Sequence, residues 1–225
     1  MVAGVITGGV DPRTVKKAVA CGADVLELRV DTFRKMDAAH IASGLERVIE
    51  SGALRGAKVL LTVRGAAEGG AAPLTDARRI EFYDALMPYA DFADVELSSR
   101  NVLKNVVDFA RRDKVRLIVS YHNFRHTPGI KKLLSIIENA RRAGADIVKI
   151  ATFVKRGADL TRLAGVLAGS RDLIVIGMGE AGAPTRVFFP MIGSLVTYGS
   201  IGGRGTAPGQ LALPAIKKEL RRYGF

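Results

Sequence analysis

The chain has 225 residues, with 34 lysines and arginines against 22 aspartates and glutamates, so its net charge is +12 at pH 7. Hydrophobic residues make up 48% and charged residues 25%, which excludes a disordered, collagen-like or coiled-coil chain. No apolar run approaches the roughly 18 residues of a membrane span, the start does not resemble a signal peptide, and Cys21 as the single cysteine excludes a disulfide framework. We therefore expect a cytoplasmic protein with no membrane partner.

Short apolar, β-branched runs alternate with helix-like stretches rich in Ala, Leu, Arg and Glu. Eight runs predict strands: Val2–Thr7, Asp24–Val30, Lys58–Arg64, Phe92–Leu97, Arg116–Tyr121, Asp146–Ala151, Leu173–Met178 and Leu195–Ile201. The predicted helices are Pro12–Cys21, Ala38–Glu50, Asp76–Met87, Asn101–Arg112, Ile130–Ala143, Leu160–Ala168 and Leu213–Tyr223. The segment Thr185–Ile192 is short and poorly helical.

This alternation predicts a parallel sheet, because a parallel crossover needs a covering connection. Eight units of about 28 residues suit a small (β/α)8 TIM barrel, so we predict an α/β fold with a single domain over residues 1–225. An open doubly wound sheet is the alternative. No strand–GxGxxG–helix occurs at the first turn, which weakens a dinucleotide-binding version.

Polar residues recur near the ends of predicted strands two to six. They are Glu27, Arg29, Asp31, Thr62, Arg64, Glu96, Ser120, His122 and Lys149. Buried polar groups are costly without partners, and the carboxyl ends of barrel strands carry the active site. One such residue is more often half of a structural ion pair, but five consecutive strands indicate a site.

Lys149 lies between Ile147-Val148 and Ile150-Ala151, where an ammonium is expensive to desolvate. We expect burial and nearby arginines to lower its pKa. A neutral amine can form a Schiff base with a carbonyl. The spacing alone leaves open a second interpretation, in which Lys149 pairs with Glu27 or Glu96 and does no chemistry.

The chain has three histidines, His40, His122 and His126. His122 ends a predicted strand and is the best candidate for an acid–base catalyst. His40 lies in a predicted helix, and we expect it to be a surface residue. His122 and His126 have the spacing of a helical metal pair, but Pro128 argues against a helix there. We therefore expect no metal site.

Two glycine-rich loops follow predicted strands three and eight, at Gly65–Gly70 and Ile201–Gln210. Such loops can close over a ligand or can simply be surface connections. Gln210 is the only glutamine of the chain and ends the second loop, which favours a function for that loop.

Taken together, these residues resemble the type I 3-dehydroquinate dehydratase family. The stretches that carry the resemblance run in order from Asp24 to Gln210: Glu27–Asp31, Thr62–Arg64, Glu68–Gly70, Ser120–Phe124, Thr127-Pro128, Val148–Ala151, Met178-Gly179, Arg186 and Ala207–Gln210. Each stretch alone is weak evidence for the resemblance, but all of them together in this order are strong evidence for it. The family's (β/α)8 barrel agrees with the strand count.

The resemblance implies a role for each matching position. Lys149 matches the lysine that condenses with the substrate ketone, His122 the general acid–base, and Glu68 the carboxylate that orients it. Arg186 matches the arginine that binds the substrate carboxylate. The other implied substrate-binding residues are Glu27, Arg29 and Arg64 at the ring hydroxyls, with Thr206 and Gln210 in the lid loop.

The resemblance also implies 3-dehydroquinate as substrate, no cofactor, and a homodimer. Thr185 and Thr206 stand where the family often has serine, and both keep a hydroxyl. One alternative is another class I Schiff-base lyase or aldolase, which shares the lysine but does not explain Glu68 and His122 together with Gln210. A nucleic-acid-binding protein is a third hypothesis, but the basic pairs are scattered and aromatics are only 6%, so we expect no nucleic-acid partner.

Overall fold

The computed structural model describes residues 1–201 and 208–225, and strands alternate with helices throughout these ranges. The strands are β1 (Val2–Ile6), β2 (Val25–Arg29), β3 (Lys58–Thr62), β4 (Phe92–Glu96), β5 (Arg116–Asn123), β6 (Ile147–Phe153), β7 (Leu173–Met178) and β8 (Thr197–Gly199). The helices are α1 (Pro12–Ala20), α2 (Ala38–Glu50), α3 (Asp76–Leu86), α4 (Arg100–Asp113), α5 (Ile130–Arg142), α6 (Gly157–Ala168), α7 (Thr185–Met191) and α8 (Leu213–Arg222).

The eight strands form one parallel sheet that curls into a barrel. Hydrogen-bonded neighbours follow chain order from β1 to β7, and β8 pairs with β1. Between β7 and β8 the described residues form no ladder; instead the Leu195 N–H donates to the Leu173 carbonyl at 2.9 Å and the Val175 N–H to the Ser194 hydroxyl at 3.0 Å. The predicted (β/α)8 barrel is confirmed, and the open doubly wound sheet is wrong.

Two predicted boundaries in the last third of the chain are corrected. The segment predicted to be poorly helical forms α7, a short helix that contains Pro190. β8 is shorter than predicted, since Ser200 leaves the sheet: its N–H donates to the Leu211 carbonyl and its own carbonyl accepts from the Leu213 N–H.

Side chains inside the barrel change character along the strands. Towards the amino ends they form an apolar cluster that includes Val25, Phe92, Ile118 and Ile147. Because inward positions recur every second residue, the next layer is formed by Glu27, Thr62, Asp94, Ser120 and Lys149, all buried. The barrel therefore has an apolar floor beneath a polar layer.

Three of the outer helices carry a basic pair in their last turn. The exposed pairs there are Arg111-Arg112 on α4, Arg141-Arg142 on α5 and Arg221-Arg222 on α8. In the part of the chain that the structure describes, no helix is long and apolar enough to cross a membrane.

Candidate active site

A cavity at the carboxyl ends of the strands collects the predicted site residues. It is lined by Glu27, Arg29, Arg64, Glu68, His122, Lys149, Arg186 and Gln210. The ninth predicted residue, Thr206, lies outside the described residues. Apolar and aromatic side chains, among them Val5, Ile176 and Tyr198, complete the wall.

Lys149 projects from β6 into this cavity and is 4% exposed. Its Nζ donates to Asp94 Oδ2 at 2.8 Å and lies 3.8 Å from Glu27 Oε1. The alternative prediction, that Lys149 pairs with Glu96, is wrong. Glu96 stands two residues further along β4, where it is bonded to Arg64 and Arg79.

The charge state of Lys149 differs from the sequence expectation. Burial lowers its pKa, but the nearby Asp94, Tyr198 and Glu27 outweigh burial and hold the pKa above its usual value. The prediction of a lowered pKa is therefore wrong. The prediction was based on burial and on the nearby arginines, and it did not include the carboxylate of Asp94 at hydrogen-bond distance.

Asp94 belongs to a buried row of alternating charges. Its Oδ1 accepts from Arg64 Nη2 at 3.0 Å and from the Ser120 hydroxyl at 2.6 Å. Arg64 Nη1 donates to Glu96 Oε1 at 2.8 Å, and Arg79 of α3 bonds the other oxygen of Glu96. Buried charges are tolerated in such a row because each has an opposite neighbour.

Sequence reasoning missed Asp94 and Arg79. Burial raises the pKa of the Asp94 carboxyl, but Arg64 and Lys149 more than reverse this and hold it far below its usual value. A signal for Asp94 was present, since it alternates with Glu96 in the strand period. For Arg79 there was none, because an arginine on an outer helix normally faces solvent.

Glu68 and His122 form a hydrogen-bonded pair in the same cavity. His122 Nδ1 lies 2.9 Å from Glu68 Oε2, which also accepts the His122 backbone N–H at 2.9 Å. Glu68 Oε1 accepts from the Ser98 hydroxyl. An N–H donated from Nδ1 leaves Nε2 as the acceptor on the other side of the ring.

The loop of Gly65–Gly70 positions this pair. Glu68 ends a 3-10 turn that is capped by Gly69 at φ 86°, in the left-handed region that favours glycine. A Cβ on Gly69 would lie 2.9 Å from the Phe124 ring, which stacks on His122 with centroids 6.3 Å apart. Gly69 is thus needed both for its backbone angle and for this close approach.

The imidazole of His122 is neutral in this environment. Burial lowers its pKa well below the usual value, and the positive charges of Arg64 and Lys149 lower it further. His40 and His126 are exposed. Within residues 1–201 and 208–225, no group of three or more His, Cys, Asp and Glu side chains is arranged to hold a metal ion.

Arg186 is a buried cation with carbonyl partners. Its guanidinium donates to the carbonyls of Gly209 at 3.0 Å, Tyr198 at 3.2 Å and Pro208 at 3.4 Å. Among the described residues, no carboxylate forms an ion pair with it, and burial lowers its pKa to about 10. Such a guanidinium on the wall of a cavity is suited to an anionic ligand.

Arg29 and Glu27 flank the other side of the cavity. Arg29 donates two hydrogen bonds to Asp31, at 2.9 and 2.8 Å, and a third to the Gly69 carbonyl at 3.2 Å. Glu27 Oε1 accepts from the Thr62 hydroxyl at 3.1 Å. Both residues are therefore held in place by β3 and the loop after it.

Comparison with known proteins agrees with this geometry. Residues 11–224 match the family model described as Type I 3-dehydroquinase. The chain belongs to this family. As a member, it is an enzyme of the hydro-lyase class.

Relatives of the type I 3-dehydroquinase family match over nearly the whole chain. A protein of Methanothermobacter thermautotrophicus named 3-dehydroquinate dehydratase is 38% identical, over 90% of this chain and 86% of its own length. One of Pyrococcus abyssi with the same name is 32% identical over 100% and 99%. The crystal structure of 3-dehydroquinate dehydratase from Aquifex aeolicus superposes with a TM-score of 0.88 at 31% identity, covering 100% of this chain and 99% of that one.

Proposed function

We propose that this chain dehydrates 3-dehydroquinate to 3-dehydroshikimate through a Schiff base on Lys149, as a step of the shikimate pathway for aromatic amino acid biosynthesis. One observation carries the proposal: a buried amine, a neutral imidazole and a guanidinium without a carboxylate partner among the described residues share one cavity. We assign the whole activity to one domain, residues 1–225.

The first step is condensation of Lys149 with the C3 ketone. The Lys149 ammonium must lose a proton before its nitrogen can attack, and the neutral imidazole of His122 lines the same cavity. Loss of water then leaves an iminium ion. The lysine thereby supplies the electron sink that this reaction needs.

The second step is elimination across C1 and C2. A proton beside a ketone is too weakly acidic for a neutral histidine, whereas a proton beside an iminium is not. His122 takes the C2 proton and then returns it to the C1 hydroxyl, which leaves as water. Glu68 orients the ring by accepting from Nδ1.

The remaining predicted residues bind the substrate. Arg186 binds the carboxylate, and Glu27 and Arg29 bind ring hydroxyls, with Arg64 beside them. Both terminal nitrogens of Arg64 already bond protein oxygens, so its further contribution is to hold Asp94 and Glu96. Gln210 lines the cavity, and Thr206, which lies outside the described residues, stays a predicted substrate-binding residue.

Replacement of Arg186 tests the carboxylate site. We expect Arg186→Met to raise the KM for 3-dehydroquinate about 100-fold, because a hydrogen-bonded charge pair of this kind contributes about 1.5–3 kcal/mol. Steady-state kinetics measure the change, and Arg112→Met, on the exposed outer face of α4, is the control. An unchanged KM would remove Arg186 from the carboxylate site.

The pH dependence tests the His122 assignment. Because its pKa lies well below 6.5, the base is already deprotonated at neutral pH, and kcat/KM should stay flat as pH falls through 6.5 and decline only at more acidic pH. Unfolded chains bind this proton more tightly, so stability also falls as pH drops below about 6.5. A pH–rate profile with its acid limb near 6.5 would contradict the assignment of His122 as the base.

Trapping with borohydride is the experiment that tests the proposed function. Reduction of the protein mixed with 3-dehydroquinate should give a covalent adduct that peptide mapping assigns to Lys149, and unreduced samples should develop the absorbance of the conjugated enone. If no adduct forms and no enone absorbance appears, the proposal is overturned. An adduct from an aldol substrate, with no turnover of 3-dehydroquinate, would favour a class I aldolase instead.

We further propose, from the family resemblance, that the enzyme is a cytoplasmic homodimer. Light scattering measures the mass in solution against the 24.0 kDa of one chain. A mass near that of one chain would contradict the dimer.

A further inference from the structure

Tyr198 occupies a place beside Lys149 that the proposed mechanism has not used. It lies on β8 in register with Ala3 of β1, is 4% exposed and faces the barrel interior. Its ring lines the cavity, and the Lys149 Nζ lies 4.2 Å from the ring centroid. An aromatic face at this distance attracts a positive charge.

The hydroxyl of Tyr198 is buried and unsatisfied. Within residues 1–201 and 208–225 it has no hydrogen-bond partner. Buried hydroxyls are normally bonded, and leaving one unbonded is unfavourable. Burial raises the pKa of this phenol, and although Lys149 acts in the opposite direction, Glu27 and Asp94 raise it further. The phenol is therefore a neutral hydrogen-bond donor at neutral pH.

The backbone of the same residue contacts the other end of the cavity. Its carbonyl accepts from Arg186 Nη1 at 3.2 Å. Tyr198 thus contacts Lys149 through its ring and Arg186 through its carbonyl. In the proposed function, Lys149 binds the ketone of the substrate and Arg186 binds its carboxylate.

Schiff-base formation creates a need for a donor at this point. The ammonium and the ketone combine to give the iminium and one water, so the nitrogen–carbon bond forms, the carbon–oxygen bond breaks, and two ammonium protons leave with the oxygen. The departing oxygen sits on the carbon that bonds Nζ. The Tyr198 hydroxyl is carried on the ring that Nζ faces, and we place it within reach of this oxygen.

We propose that Tyr198 is a further catalytic residue of this reaction. Its hydroxyl donates a hydrogen bond to the oxygen that leaves the carbon attacked by Lys149, and its ring face stabilises the positive charge on the iminium nitrogen. The phenol keeps its own proton over the cycle. This inference rests on the proposed function, since the departing oxygen exists only if Lys149 condenses with a ketone.

The test uses Tyr198→Phe, with Thr197→Val as its matched control. Thr197 is the neighbouring residue, its hydroxyl is also buried and unsatisfied among the described residues, and it points to the opposite face of β8, away from the cavity. Rapid quenching with borohydride measures the rate at which 3-dehydroquinate is trapped on Lys149. The deuterium isotope effect with substrate labelled at C2 measures how far proton abstraction limits the rate.

We expect Tyr198→Phe to slow trapping about tenfold, the scale of one hydrogen bond, and to move the isotope effect towards one because condensation becomes slower than proton abstraction. Its melting temperature should equal or exceed that of the wild type, since an unsatisfied hydroxyl has been removed. Thr197→Val should be equally stable and should be trapped at the wild-type rate.

Three results would contradict these expectations in different ways. Wild-type trapping by Tyr198→Phe would overturn the role of Tyr198 alone. A melting temperature several degrees lower would overturn it too, because the hydroxyl would then have a partner in the free protein. Absence of an adduct in the wild type would overturn the proposed function itself, and the role of Tyr198 with it.

Discussion

Lys149→Met should lower turnover of 3-dehydroquinate by about 10⁴-fold or more, the scale on which loss of a covalent nucleophile is felt. Methionine is similar in length and its neighbours Ile147 and Ile150 are buried and apolar, so the barrel should still fold. Borohydride should then trap no adduct. Steady-state rates and intact mass together measure both effects.

Lys217→Met provides the comparison. Lys217 also forms an ion pair, with Asp24 at 2.7 Å, but near the amino end of β2 and far from the cavity. This variant should lose some stability and keep its adduct on Lys149. If Lys149→Met retained substantial turnover, the Schiff-base mechanism would be wrong, whatever the identity of the substrate.

Asp94→Asn should destabilise the fold by about 3–5 kcal/mol, because it leaves two buried cations without their shared carboxylate. Both Arg64 and Lys149 bond Asp94 directly, at 3.0 and 2.8 Å. For a chain of this length the loss corresponds to a fall in melting temperature of about 10 °C. Thermal unfolding followed by circular dichroism measures it.

The pH dependence of this loss has a definite sign. The pKa of Asp94 is lowered in the folded state, so the carboxylate stabilises the fold above its unfolded pKa of about 3.9, and the stabilisation is lost as pH falls below that. The difference between variant and wild type should hold from pH 5 to 8 and shrink only in acid. Asp84→Asn breaks an exposed pair with Arg112, which solvent screens, and should leave the melting temperature nearly unchanged. Equal stability of Asp94→Asn and wild type would mean that water reaches the cluster.

The fold and the lining of the cavity could be predicted because both follow from periodicity. Strand alternation predicted the barrel, and the rule that polar strand ends converge brought Lys149, His122 and Glu27 to one place. Glu68 and Arg186 could not be found that way, since they lie on a turn and a short helix after the strands. The family resemblance supplied them.

What the sequence could not predict depends on distances between side chains. The pKa of Lys149 follows from a 2.8 Å contact with Asp94, and an expectation built on burial and arginines had the wrong sign. Tyr198 was hidden in an apolar run, where an aromatic residue indicates only core packing. Its proposed role rests on a buried hydroxyl that has no hydrogen-bond partner among the described residues, which a sequence does not reveal.

The order of strands in the sheet bears on how the enzyme is assembled. Among the described residues, every ladder but one joins strands that are adjacent in sequence, and the exception pairs residues 2–4 of β1 with residues 197–199 of β8. Closing so long a loop is entropically costly and slow, so we expect the ladder between β1 and β8 to form after the ladders between neighbouring strands. Asp94 on β4 and Lys149 on β6 are joined through β5, and this ion pair can therefore form before the barrel closes. Tyr198 lies on β8, so the wall of the cavity beside Lys149 is completed last.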